Sequence, residues 1–435
     1  MLDAVIKNAT LIPMTEDNLV IYNASIGIKD GLIAYIGSEP PEASEVVDAH
    51  GHIVMPGLIN AHAHTAMCIM RGYADDYPLK QWLYEKVFPV EARLDERAIV
   101  SGAMLGMAEM LRTGTTSFSD MYFCQPAVAD AVKNVGMRAN LCNAVLALGD
   151  DYDFNSDRAV AETYELLDYY GANGLIRADV GIHAEYTAPP HVWKLAHEIA
   201  EVSGAITHIH LSETSLEHEQ AKQRHGMTAT AAFEKNGILD TRVLAAHGVW
   251  LEENDMAILA AHGASVAHCP VSNLKLGSGI ANISAMLRAG VNVCLGTDGA
   301  CSNNSLDLFE EIKLAALLAK GSTLDPSNIT AYEALKLATV NGAKAQGRED
   351  ETGRIAVGLS ADMIMIDTSA PHLFPMYDPI STVVYSARGS DVELTMVGGK
   401  VLYRGGEWTS IDVRQVMRDV REHAVPLVLN RSNIG

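Results

Sequence analysis

From about residue 57 to about 320 the chain alternates short apolar runs with helical patterns, and this rhythm restricts the fold more than any other feature. The runs fall at 57–61, 115–121, 138–146, 176–184, 206–211, 243–249, 265–269 and 291–298. Helical patterns separate most of them and follow the last, for example over 96–112, 126–136, 189–202, 252–261 and 305–320. Strand followed by helix, repeated through these runs, predicts a parallel (β/α)8 barrel. Parallel strands buried on both faces read as continuous apolar runs, and Val291-Asn292-Val293-Cys294-Leu295-Gly296 comes close to that. The connection from about 62 to 96 is long and polar-aromatic, and long loops after barrel strands usually serve the active site.

The two ends read differently. Ala4-Val5-Ile6, Leu11-Ile12, Ser25-Ile26-Gly27-Ile28 and Leu32-Ile33-Ala34-Tyr35-Ile36 are short strands, and Asp30-Gly31 between two of them is a hairpin signal. The same texture returns in Ala361–Ile366, Val392–Val397 and Lys400–Tyr403. We expect residues 1–56 and 358–435 to form one small β domain beside a barrel of 57–357. The fold class is thus α/β, a (β/α)8 TIM-like barrel with a small β-sandwich domain formed from both chain ends.

Charge narrows the partners. A net charge of −22 argues against nucleic acid, since phosphate binding needs clustered Lys and Arg. A small substrate carrying a nucleobase remains open. No apolar run reaches the roughly 18 residues a membrane span needs. Met1-Leu2-Asp3-Ala4-Val5 lacks the basic start and apolar core of a signal peptide. The six cysteines form no CxxC pair, and Val293-Cys294-Leu295 is an apolar setting for a free thiol. A reduced, cytoplasmic protein is expected.

Polar residues sit at the ends of the apolar runs. His62 and His64 lie one residue apart, and alternate residues of a strand face the same side. His210, His247 and Asp298 end later runs. In a parallel barrel the C-terminal strand ends share one face. Imidazoles with a carboxylate suit zinc or a similar divalent metal. The pattern points to metal-dependent hydrolysis.

Each residue also has an ordinary reading. His62 and His64 could be polar residues where a strand stops. His208 and His210 form a second HxH, and spacing does not say which would ligate. Glu213 lies within reach of a metal-bound water and suits proton delivery to a ring nitrogen. It also fits a helix-start charge after Ser212. His247 could orient an attacking hydroxide, or be a buried histidine bonded to backbone. His183-Ala184-Glu185 copies half of the H-x-E…P-C-x-x-C signature, but the second half is absent because Cys269-Pro270 has the wrong order. Gly296-Thr297-Asp298-Gly299 is no phosphate loop, since no Gly-Lys-Ser/Thr follows. No G-x-S-x-G elbow is present for a Ser-His-Asp triad.

Several segments carry a family resemblance. They are Pro56-Gly57-Leu58-Ile59-Asn60-Ala61-His62-Ala63-His64, Leu79-Lys80-Gln81-Trp82-Leu83 and Phe88-Pro89-Val90-Glu91. Next come His208-Ile209-His210-Leu211-Ser212-Glu213-Thr214, Ala246-His247, and His268-Cys269-Pro270-Val271-Ser272-Asn273-Leu274-Lys275-Leu276. Last are Leu295-Gly296-Thr297-Asp298-Gly299-Ala300-Cys301-Ser302-Asn303-Asn304 and Gly358-Leu359-Ser360-Ala361-Asp362. Over essentially the whole chain the sequence resembles the amidohydrolase superfamily, in its branch of adenosine-type deaminases.

That resemblance implies one divalent metal per chain, held by His62, His64, His210 and Asp298. Zinc is the choice from ligand type, with iron, manganese or nickel able to use the same donors. It implies that Asp298 takes the water proton, Glu213 protonates the purine at N1, and His247 orients the oxygen that attacks C6. It places Glu91 on ribose hydroxyls and His183 on substrate, with Trp82 walling the pocket near the 5′ group. Glu91 also reads as a first-turn helix charge, and Trp82 as packing. Relatives carry two arginines for the amino-acid carboxylate of S-adenosylhomocysteine. Arg158 matches one, but Asn143 stands at the other, and an amide does not replace a bidentate cation. The expected substrates are 5′-methylthioadenosine, adenosine and 5′-deoxyadenosine ahead of S-adenosylhomocysteine. A homo-oligomer is compatible with the family. The alternatives are a hydrolase of another heterocycle of guanine, triazine or pterin type, and a non-catalytic scaffold of the same fold.

Overall fold

The computed structural model of the chain describes residues 1–147, 157–171 and 174–431; the end of the expected β domain, 432–435, lies outside them. The barrel is present and is built from two parallel arcs. One orders Asp298–Gly299, Leu58–His64, Thr115–Tyr122, Arg138–Asn143 and Ile176–Ala178. The other orders Val180–Ala184, Thr207–Leu211, Val243–His247, Ser265–His268 and Asn292–Leu295.

Three predicted strands need correction. The run 176–184 is two strands in different arcs, broken at Asp179. The buried Asp179 carboxylate accepts Asn140 Nδ2 at 2.9 Å and the Ile206 amide at 3.4 Å. The run 138–146 stops at Asn143, and only Val145 bridges onward, to Ile182. The run 291–298 breaks after Leu295, where Gly296 passes over His62. A Cβ on Gly296 would lie 2.8 Å from the His62 Cβ and carbonyl oxygen, so only glycine permits this approach. Each break falls at a single polar residue or glycine, Asp179, Asn143 or Gly296, and such residues also occur inside intact strands, as Asn140 does. The first strand is longer than expected, and His62 and His64 lie within it rather than beyond it.

The chain ends build one nine-stranded mixed sheet that encloses its own core as a small sandwich. Leu2–Leu11 pairs antiparallel with Ile21–Lys29 and parallel with Ala43–Asp48 and Ile53–Pro56. The two ends meet where Ile53–Pro56 pairs antiparallel with Met363–Ile366. Ile6, Leu11, Ile26, Met363 and Leu394 fill the interior. Burying each such side chain stabilises the fold by about 1.5–3 kcal/mol. Asp30 and Gly31 both take positive φ, 52° and 79°, as the hairpin signal requires.

Beyond the sheet, the C-terminal helical segment lies on the barrel helix Glu96–Arg112. Arg97 bonds Asp419 at 3.0 Å, and His423 bonds Asp95 at 2.8 Å. The long connection after His64 forms short helical turns, Leu79–Gln81, Trp82–Val87 and Phe88–Glu91, that wall the barrel mouth. Among the described residues no helix is long and apolar enough to cross a membrane. All six cysteines are buried free thiols.

Candidate metal centre and pocket

The strand ends bring His62, His64, His210, His247 and Asp298 together at the C-terminal mouth. His62, His210, His247 and Asp298 offer donor atoms that all lie within 4.8 Å of one another. His64 is a fifth, its Nε2 being 3.2 Å from Asp298 Oδ1 and 3.2 Å from His210 Nε2. His62 Nε2 lies 3.4 Å from the same Asp298 oxygen.

Hydrogen bonds set the ring orientations. His64 Nδ1 is 2.5 Å from the Met121 carbonyl, and His210 Nδ1 is 2.5 Å from the His183 carbonyl. A carbonyl only accepts, so each Nδ1 carries the proton. In neutral rings both Nε2 lone pairs then face each other at 3.2 Å, an arrangement that repels unless positive charge sits beside it. Burial opposes protonation of His64, but Asp298 outweighs it and lifts the ring to about 9. His62 Nε2 is buried and makes no hydrogen bond. Imidazole nitrogens beside a carboxylate, one of them buried without a hydrogen bond, with a local demand for positive charge, fit a divalent cation.

Neighbours hold this set in place. His62 Nδ1 and His208 Nε2 share a bond of 2.9 Å. His208 therefore sits beneath His62, while His210 reaches the pocket. Asp298 Oδ2 accepts the hydroxyls of Ser272 at 2.6 Å and Ser302 at 2.7 Å, leaving Oδ1 for the histidines. Asp298 itself has a φ of 60°. Asp120 Oδ1 accepts the Thr65 amide at 2.6 Å and hydroxyl at 2.7 Å, pinning the chain just after His64.

His247 bonds Asn273, a side chain rather than backbone, at 2.9 Å through Nδ1. Its Nε2 lies 3.8 Å from Glu213 Oε2. Burial opposes charge on His247, but Glu213 and Asp298 together raise it above the ordinary histidine value. Burial raises the Glu213 carboxyl against the pull of His247. Ser278 donates to Glu213 Oε1 at 3.1 Å. The helix after Glu213 is Ser215–His225 with Thr214 as its cap, so Glu213 precedes the helix and is not its first-turn charge.

Glu91 ends the helical turn Phe88–Glu91 and lines the same pocket. Burial pushes its carboxyl up to about 7, with Tyr122 and His64 pulling the other way. The Tyr122 hydroxyl lies beside it. His183 bonds the Thr187 hydroxyl at 2.9 Å, and its ring is 4.9 Å from that of His210. Burial pushes His183 down to about 3, so it is neutral. Trp82 is 5% exposed and walls the pocket. Arg158 does not reach the inner pocket; it lines an adjoining cavity with Glu91, Asn143 and Glu162. Its Nε donates to Glu162 at 2.5 Å, and Glu96 lies 3.6 Å away. Asn143 is fully buried with its Nδ2 unpartnered.

Sequence reasoning assigned no role to Ser272, Asn273, Ser278, Ser302, Asp120 or Tyr122. Ser272 and Asn273 lie inside a segment that carried the resemblance. Nothing in a short polar stretch says which strand end it will touch.

The model of the Amidohydrolase family matches residues 53–402. A 5-methylthioadenosine/S-adenosylhomocysteine deaminase of Acetivibrio thermocellus is 42% identical, over 97% of this chain and 99% of that protein. A 5′-deoxyadenosine deaminase of Methanosarcina barkeri is 43% identical, over 98% of this chain and 99% of that protein. Among solved structures, an adenosine deaminase from Xanthomonas campestris with bound zinc superposes with a TM-score of 0.93 at 32% identity, covering 97% of each chain. With the family's segments spread from the first barrel strand into the terminal sheet, and relatives this similar end to end, the chain belongs to the amidohydrolase family.

Proposed function

We propose that this protein hydrolytically deaminates adenosine-type nucleosides at C6, giving the inosine analogue and ammonia. One observation carries the reading. A buried carboxyl with a raised pKa, Glu213, stands beside His247 at the rim of a cluster of imidazoles and one carboxylate. The relatives named as deaminases of methylthioadenosine, S-adenosylhomocysteine and 5′-deoxyadenosine support it.

His62, His64, His210 and Asp298 would hold a divalent metal, zinc by donor type. When bound, such an ion supplies Lewis acidity toward water at neutral pH. His64 is assigned to this set because its Nδ1 is tied to backbone and its Nε2 faces Asp298. His247 faces Glu213 instead and orients the attacking water. Asp298 accepts the water proton. Glu213, its proton affinity raised by burial, gives its proton to N1 as the C6–O bond forms. The C6–N bond then breaks: the amino group leaves as ammonia with the proton Asp298 took from water, and the C6 hydroxyl gives its proton back to Glu213 as the carbonyl forms.

Glu91 accepts the sugar hydroxyls, and bare adenine would leave that carboxyl unpaired. His183 contacts substrate as a neutral imidazole, and Trp82 closes the wall toward the 5′ group. Arg158 is already engaged by Glu162 and Glu96, and Asn143 offers no charge. The site therefore favours uncharged 5′ groups over the amino-acid carboxylate of S-adenosylhomocysteine. We assign the chemistry to residues 57–357, and the sheet of 1–56 with 358–435 to support. The partner is a small nucleoside. A reduced cytoplasmic setting fits the six free thiols, and a homo-oligomer fits the family.

Ammonia release from methylthioadenosine, adenosine, 5′-deoxyadenosine and S-adenosylhomocysteine, measured in parallel, tests both parts. The expected order places S-adenosylhomocysteine last in kcat/KM. Its appearing first would overturn the argument from Asn143 and Arg158, and no release from any would overturn the deaminase reading.

A further inference from the structure

Glu217 lies outside the proposed chemistry, yet it is buried, 7% exposed, one helical turn beyond Glu213. Thr214-x-x-Glu217 has the form of a capping box, in which the carboxylate returns to the backbone of the capping residue. The geometry here is displaced. Glu217 Oε2 lies 3.4 Å from the Thr214 amide but 3.0 Å from the Glu213 amide. The stronger bond is made to the acid itself.

A second capping box in the same chain serves as a comparison. In Thr330-x-x-Glu333 the glutamate is exposed, and its Oε2 accepts the Thr330 amide at 2.7 Å. That box ends a helix in water and does nothing more. Glu217 Oε1, by contrast, is buried with no hydrogen bond. A carboxylate placed this way is costly, and capping does not require it.

The backbone that Glu217 grips turns from the strand into the helix, where the Ser212 carbonyl accepts the Trp250 amide at 3.0 Å and the Thr214 carbonyl accepts the His218 amide at 3.0 Å, leaving the Glu213 amide to Glu217. Ser212 has a φ of 48°, in the left-handed region. Its hydroxyl bonds His218, the next residue of the same helix, at 3.2 Å. The far end of that helix is tied down as well. Arg224 Nε bonds Glu185 at 2.8 Å and His225 bonds it at 2.5 Å, two residues beyond His183. The helix Ser215–His225 thus spans two loops of the pocket.

We propose that Glu217 is a positioning residue for Glu213, its carboxylate holding the Glu213 amide so that the acid stays on Ser278 and aimed into the pocket. This rests on the deaminase reading for its kinetic consequence, though not for its geometry. Aspartate at this position keeps the carboxyl group but is one methylene too short to reach the amide. Glutamine keeps the length and an acceptor oxygen.

The test compares Glu217→Asp, Glu217→Gln and the surface control Glu333→Ala, each metal-loaded and assayed on methylthioadenosine below its Tm. A misplaced reacting group costs on the order of 10–100-fold, so Glu217→Asp should lose at least tenfold in kcat with KM little changed. Glu217→Gln should stay within about threefold of the parent, because it restores the acceptor. Glu333→Ala should lower Tm only. Equal loss in the Asp and Gln variants, or an unchanged kcat in Glu217→Asp, overturns the proposal. A crystal structure of Glu217→Asp decides the geometry independently of turnover. Glu213 displaced from Ser278 supports the proposal, and Glu213 unmoved overturns it. Absence of activity in the parent itself would instead count against the deaminase reading.

Discussion

The two ends of the barrel each fully bury a nitrogen-bearing side chain, Arg348 at one and His62 at the other, and treat the two in opposite ways. At the N-terminal end Arg348 is fully buried, yet all its N–H groups donate. Nε meets Asn140 Oδ1 at 3.0 Å, and the terminal nitrogens meet the carbonyls of Gly174, Ala139 and Leu175 at 2.7, 3.0 and 3.1 Å, with Glu351 at 3.2 Å. At the C-terminal end His62 Nε2 makes no hydrogen bond, and two imidazole nitrogens face each other at 3.2 Å. Satisfied polar networks lock a structure. Unsatisfied ones at a pocket mark where something else binds. The contrast says that one end holds the barrel together and the other is organised for chemistry.

Substitutions can break that contrast, beginning with the strongest. Asp298→Asn should cost at least ~10³-fold in kcat, as for removal of a group acting within a unit, with zinc content falling in parallel. Glu213→Gln should lose about 10²–10⁴-fold in kcat, the usual worth of general acid catalysis, at unchanged zinc content and Tm. An active Glu213→Gln variant would move the proton donor elsewhere. At the opposite end, Arg348→Met should destabilise the fold by about 3–5 kcal/mol, because it strips buried acceptors of their donor. Its kcat below Tm should be that of the parent, and a fall in turnover without a fall in Tm would erase the division between the ends.

Smaller effects sharpen the picture. Glu91→Ala removes an acceptor of charge-assisted bonds worth about 1.5–3 kcal/mol, so KM for nucleosides should rise about 10–100-fold with kcat less affected. Asp179, at the barrel's N-terminal end, has its carboxyl pushed by burial from 3.8 up to about 7. The folded state then binds a proton more tightly than the unfolded one. Stability from this group is complete below the unfolded value and is lost as pH rises toward the folded one. The parent's Tm should therefore fall across that window more steeply than the Tm of Asp179→Asn, and parallel curves would contradict the assignment.

Much of the barrel was legible because buried parallel strands must be apolar and their ends must stop being so. His62, His64, His210, His247 and Asp298 each interrupt such a run, and the structure gathers them at one mouth. What stayed hidden depends on depth and on contacts distant in sequence. His208 and His210 alternate identically along the strand, yet one supports His62 and the other reaches the pocket. The break at Asp179 lies in a run that already carries the charged Arg177, so one more charged residue gives no separate signal. Ser272 and Asn273 orient Asp298 and His247 from a short helix with no periodic signal. Glu213 looked like a helix-start charge because the true cap, Thr214, is its neighbour.

The most direct measurement is ultraviolet absorbance of methylthioadenosine with protein stripped by a chelator and titrated with zinc. The account predicts no spectral change without metal. Conversion from an adenine-type to a hypoxanthine-type spectrum should then rise in rate until about one ion per chain is bound, the number a single set of imidazole and carboxylate donors holds. Undiminished conversion by fully stripped protein, or none by protein carrying its ion, would contradict it.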